Sequence, residues 1–187
     1  MTQSESRALS PFSAVLRRLY LTRFAFAVVW AVLLFLTASS AGPLLTALLV
    51  IYPLFDAAAV LSQVRSQQRA PGSRTAEWIN VAVSVVVAVA LGWASTVSIA
   101  AALAVWGVWA VGAGIPQLVA AVRQRRSGGQ VPQILSGGLS VVAGLAFLAQ
   151  GLQGAGTIGG VGGYALVGGI FFLISAFRLN SLLRPAS

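Results

Sequence analysis

Three acidic residues occur in 187, and one of them, Asp56, falls inside an apolar run, Leu44 to Ser62. That run centres near Pro53, so Asp56 sits about 4.5 Å from the middle of a spanning helix, at 1.5 Å per residue. A carboxylate there costs about 2.5–3.5 kcal/mol on insertion scales. It must face protein or water, and it must be paired or protonated. Such a group can hold a proton, a cation or a guanidinium. If the chain folds back about residue 41, positions summing to about 82 lie level. Asp56 is then level with Phe26, and Arg23 lies about one turn further toward the chain's basic end. Arg65 is about 13.5 Å along the same helix, too far to meet it. An Asp56–Arg23 pair is therefore expected within the first hairpin, with Asp56 serving either as a structural polar contact or in proton- or solute-linked work.

Pro53 and Pro116 stand inside other apolar runs. Each removes a backbone donor and frees an upstream carbonyl, of Leu49 or Gly112. Neighbouring helices normally satisfy such groups in a membrane, and Gln117 is the candidate partner for the region of Gly112. Other chemistry is excluded by the residues missing. The chain has no His, Cys or Lys. It therefore has no imidazole base, thiol nucleophile, thiolate metal site or Schiff-base amine. Glu5 and Glu77 lie in hydrophilic flanks, so no carboxylate pair forms. An enzyme, a metal site and a cofactor are not expected. Gly154-Ala-Gly156-Thr-Ile-Gly159 matches G-x-G-x-x-G, but no strand precedes it and no acid follows about 20 residues later.

The elements that must position these residues are set by hydropathy. Of the chain, 58% is hydrophobic and 8% charged, against about 25% charged in soluble domains. Apolar runs, uncharged apart from Asp56, cover Phe24–Thr37 (extended by Tyr20 and Leu21), 44–62, 78–95, 97–121, 134–149 and 157–177. Six spans of about 20 residues account for most of the chain. The fold class is all-α, with six transmembrane helices in three hairpins, about 22–65, 78–123 and 134–178. These form one membrane domain, 22–180, between an N-terminal segment, 1–21, and a tail, 181–187. Within the first segment, Leu9 to Tyr20 carries Phe12, Leu16 and Leu19 at helical spacing, the pattern of a short surface helix.

All twelve basic residues are Arg, and all flank the same ends of the spans. The connections 37–43, 93–97 and 150–158 carry none. The positive-inside rule then puts both termini in the cytoplasm, with anionic lipid contacting the arginines. Orientation and lipid account for the charge, and nucleic acid is not an expected partner. The basic stretch, apolar core and Ala38-Ser39-Ser40-Ala41 also look like a signal peptide, but removing them would break the first hairpin. Trp30, Trp106, Trp109, Phe171 and Phe172 read as lipid contact or core packing before a ligand pocket.

The second helices of the hairpins align. Asp56, Gly114 and Gly169 each precede an arginine by nine residues, Arg65, Arg123 and Arg178. The glycines of the sixth run, Gly156, Gly159, Gly160, Gly163, Gly168 and Gly169, suit close helix packing, inside the monomer or at a homo-oligomer face.

On Tyr52-Pro-Leu-Phe-Asp56-Ala-Ala-Ala-Val60, Gly112-Ala-Gly114-Ile115 and Gly168-Gly169-Ile170, each in the second helix of a hairpin, the chain resembles the HdeD-like acid-resistance membrane proteins. The resemblance spans about residues 20 to 180. The first hairpin departs from the family's Gly-Ile with Asp56-Ala57. The resemblance implies a bacterial inner-membrane protein linked to acid or envelope stress, of unknown molecular activity. The alternative is a small proton- or solute-linked transporter or channel using Asp56.

Overall fold

A computed structural model describes residues 3–66, 75–123 and 131–183. Among them the regular structure is six helices: α1 (Gln3–Thr37), α2 (Pro43–Ser66), α3 (Thr75–Val97), α4 (Ile99–Arg123), α5 (Val131–Leu152) and α6 (Gly159–Leu183). All six are long and apolar enough to cross a bilayer. The chain is a multi-pass integral membrane protein. Large apolar side chains such as Val86, Val89, Val142 and Phe177 stay exposed, as lipid requires and water would not tolerate.

Two expectations need correcting. The segment 9–20 is not a separate surface helix. It continues into the first span as α1, because no glycine or proline interrupts residues 12–37. The connection after the third span is also shorter than 93–97. Only Ser98 separates α3 from α4. Its Oγ accepts the Ala101 N–H at 2.9 Å, an N-cap that starts α4 within one residue of the end of α3. The α5–α6 tip closes by a Schellman arrangement. Ala155 N–H bonds to Gln150 O, and Gly154 N–H to Gly151 O. Gly154 takes φ +78°, where a side chain would be strained. Ile158 N–H then donates to Ala38 O at 3.0 Å, tying this tip to the end of α1.

The hairpins are not the tightly packed units. The closest seams join the second helix of one hairpin to the first helix of the next: α2 to α3, α4 to α5, and α6 back to α1. The six helices thus form a closed ring with alternating close and looser seams. The sequence repeat explains this. Asp56 reaches Ser84 of α3. A Cβ placed on Gly114 would lie 2.8 Å from Ser140 Cβ of α5, and one on Gly169 would lie 3.1 Å from Ala27 Cβ of α1. The partners Ala27, Ser84 and Ser140 are 57 and 56 residues apart (84 − 27, 140 − 84), within one residue of the 58 and 55 that separate Asp56, Gly114 and Gly169 (114 − 56, 169 − 114). Each repeat therefore packs on its successor by equivalent positions.

The α4–α5 seam is the closest. A Cβ on Gly107 would meet Leu148 N at 2.5 Å and Gly144 O at 2.6 Å, and one on Gly151 would meet Ala100 O and Ala104 N at 2.7 Å. The two backbones touch along the seam, which absent side chains permit. In α6 the expectation of glycine packing needs dividing. Gly169 meets Ala27, Gly160 meets Phe147, and Gly159 is in ordinary contact with Ala38. Gly156, Gly163 and Gly168 have nothing within 4 Å of a Cβ, because no helix backbone approaches those faces.

Candidate functional site

Around the ring axis the two halves of the bundle differ. Toward the uncharged connections, Leu34, Leu45, Leu49, Leu91, Leu103, Ile158 and Val161 are fully buried and form a solid apolar plug. Its inner face is aromatic. Trp30 stacks on Trp106 at 5.5 Å, Tyr52 packs against both, and Trp109 meets Trp106 edge-on at 5.2 Å. Trp30 Nε1 donates to Leu48 O at 2.7 Å, one residue before the carbonyl of Leu49 that Pro53 deprives of its helical donor. Trp30 and Trp106 are thus core, as their type suggests, whereas Trp109, Phe171 and Phe172 line a pocket.

That pocket occupies the arginine-bearing half. It is a cavity of about 320 Å3 lined by all six helices. Tyr20 and Arg23 come from α1, and Tyr52, Asp56 and Val60 from α2. Asn80 comes from α3, Ala113 and Gln117 from α4, Ser136 and Ser140 from α5, and Tyr164, Gly168 and Ser175 from α6. Arg23, Asn80 and Ser136 are again 57 and 56 residues apart (80 − 23, 136 − 80). One position of the repeat therefore supplies a polar side chain to the cavity from the first helix of every hairpin.

The polar centre is a pair. Arg23 donates from a guanidinium nitrogen to Asp56 Oδ1, and the two side chains are 13% and 19% exposed. Each lies six residues inside its span, Arg17–Thr37 or Pro43–Ser62, or about 9 Å from the span end. The level-matching of the first hairpin holds nearby: Phe26 stacks on Phe55 with centroids 3.7 Å apart. The pair is held from both sides. Arg23 Cζ lies 4.5 Å over the Phe172 ring of α6, a cation–π contact strengthened by partial desolvation. Ser84 of α3, fully buried, donates from Oγ to Asp56 Oδ2 at 3.4 Å. Across the cavity Ser140 Oγ and Tyr164 Oη share a hydrogen bond of 2.8 Å. Asn80 Oδ1 has no hydrogen-bond partner among the described residues.

Of the residues singled out from sequence, Asp56, Arg23 and Gln117 meet at this cavity, and Gly168 joins them with its open face. Pro53 is buried just below Asp56 in the plug, while Pro116 is exposed on the outside of α4. Neither interrupts its helix. Asn80, Ser84, Ser136, Ser140 and Tyr164 were not singled out. The signal that finds the α3 and α5 residues is the repeat extended to the first helices, which aligns Arg23 with Asn80 and Ser136, and Ala27 with Ser84 and Ser140; no such signal marks Tyr164.

No protein-family model, no curated protein and no solved structure matches this chain.

Proposed function

We propose that this membrane protein binds a small polar solute in the cavity between its six helices and passes it across or into the membrane, with Asp56 and Arg23 as the polar centre. One observation carries the reading: a charged pair, held by a hydroxyl from α3 and an aromatic ring from α6, lines a void to which every helix contributes. A purely structural ion pair needs no space beside it. A buried pair is also poor stabilisation compared with apolar packing, so its retention beside a cavity favours use. Intramembrane charges facing such a cavity mark solute and ion pathways. No catalytic step is assigned, since the chain offers no base or nucleophile beyond this pair and hydroxyls.

The cavity opens toward the arginine-rich ends in this reading, and the positive-inside rule makes that side cytoplasmic, with both termini on the cytoplasmic side of a bacterial inner membrane. The chain has no native cysteine, so single-cysteine variants report sidedness directly. An impermeant thiol reagent is expected to label Ser40→Cys and Gln153→Cys from outside intact cells, and Ala113→Cys only from the inner side. In proteoliposomes, solute or proton flux that the wild type supports and Asp56→Asn abolishes is the expected result. Equal flux in both, with both folded, overturns the role of the pair.

A stress-linked role of the HdeD type is the second reading, favoured by the Tyr52–Val60, Gly112–Ile115 and Gly168–Ile170 segments. It predicts lost survival of a deletion strain at low pH, restored by wild type.

A further inference from the structure

The wall of the cavity restricts what it can take. We infer that its ligand is a small zwitterion carrying ammonium and carboxylate on one carbon, with an apolar remainder: a solute of the α-amino-acid class. This rests on the solute-binding reading above.

Charge is the first constraint. The described lining holds one guanidinium and one carboxylate, so the site is neutral as a whole. A guest with net charge would carry that charge into a low-dielectric region, at a cost the existing pair cannot offset. A net-neutral guest avoids it.

Contact between the pair is the second constraint. Arg23 and Asp56 touch, so their opposite charges lie side by side. A guest with both charges on one carbon can insert between them. Its carboxylate takes the guanidinium fork, and its ammonium takes the Asp56 carboxylate. No charge loses its counter-charge during the exchange. A guest with only one charge would strand either Arg23 or Asp56, which is the expensive way to break a buried pair. The fork has five N–H donors, more than Asp56 alone can use, and it favours bidentate carboxylate. On the other side, Asp56 Oδ2 is held by a long 3.4 Å bond from Ser84. Turning the Asn80 amide toward an ammonium sacrifices no bond of its oxygen, which has no partner among the described residues.

Size and floor supply the third constraint. About 320 Å3 stands at the bottom of the about 300–1,000 Å3 range of ligand pockets. Tyr52 and Trp109 form an aromatic end to the void, suited to the apolar part of a guest.

The test is calorimetric titration of the full-length protein in detergent with four matched probes. These are leucine, 4-methylpentanoate (its carboxylate without the amine), 3-methylbutylamine (its amine without the carboxylate) and 4-methylpentanamide. Leucine is expected to bind at least tenfold more tightly than each of the others. Arg23→Lys keeps the charge but loses the fork, and should weaken leucine about tenfold. Asp56→Asn should bring leucine down to the level of 4-methylpentanoate. Near-ultraviolet dichroism of the aromatic cluster verifies that each variant is folded. If the amide binds as tightly as leucine, or leucine does not bind, the zwitterion assignment is overturned. Labelling of Ala113→Cys from the aqueous phase separates the two failures. A labelled cavity that ignores leucine sinks the ligand class alone, and an unlabelled one sinks the solute-binding reading with it.

Discussion

The plug and the cavity are built from the same six helices, yet they follow opposite rules. In the plug, residues from different helices, such as Leu34 of α1, Leu45 of α2 and Leu103 of α4, reach full burial. In the cavity half the helices keep their ring but meet across space, and Tyr, Asn, Gln, Ser and a charged pair line it beside Trp109, Phe171 and Phe172. Lipid gives no hydrophobic drive between helices, so association depends on packing and hydrogen bonds. The plug supplies the first. The other half is thereby freed to keep an open, polar interior. The contrast also explains why α4 and α5 touch by backbone: glycines at 107, 114, 137 and 144 carry close packing from the plug past the cavity.

The largest effect should come from emptying the plug. Trp106→Ala removes a fully buried ring from the centre of the cluster and should cost about 3–5 kcal/mol, read by denaturant titration in mixed micelles. A loss below about 1 kcal/mol would mean that the plug does not carry the fold. Next comes the seam. Gly114→Ala drives a Cβ to 2.9 Å from Gly137 O and should cost about 1–3 kcal/mol, whereas Gly168→Ala, with nothing within 4 Å, should change little. Equal losses would erase the distinction between seam and open face.

The charged pair should rank third. In a double-mutant cycle, Arg23→Ala and Asp56→Ala should couple by about 1–2 kcal/mol, each single variant leaving a charge unpaired that the double variant does not. No coupling would mean that water in the cavity satisfies both. The smallest effect belongs to Ala113→Leu. The isopropyl group it adds to the void should change stability by less than about 0.5 kcal/mol while reducing solute binding. A loss of overpacking size, about 1–3 kcal/mol, would show the void to be closed.

The amino-acid sequence displays the spans well because lipid imposes one rule on every one of them: about twenty apolar residues, with charge at one end. The Arg23–Asp56 pair is also legible, since a short tip makes two helices level and leaves one cation within reach. The cavity is not legible in the same way. Its lining is one to five residues from each of six helices, and no local pattern distinguishes Ser136 or Asn80 from other polar residues on an apolar helix. Only the ring brings them together. The close seams were hidden because sequence neighbours in a hairpin invite the assumption that they pack best. The heptad spacing of Gly107 with Gly114, and of Gly137, Gly144 and Gly151, is the clue to the α4–α5 contact, whereas the glycine crowding in α6 is more conspicuous and less informative.

The aromatic cluster also makes the molecule its own spectroscopic probe. Trp30 and Trp109 both pack on Trp106, at centroid distances of 5.5 and 5.2 Å, while Trp78 and Trp93 are exposed on α3. Excitation reaching the inner three is shared among them, and their emission is shielded from brominated acyl chains that quench the outer two. Occupancy of the space beside Trp109 can therefore be followed by light, without attaching a dye.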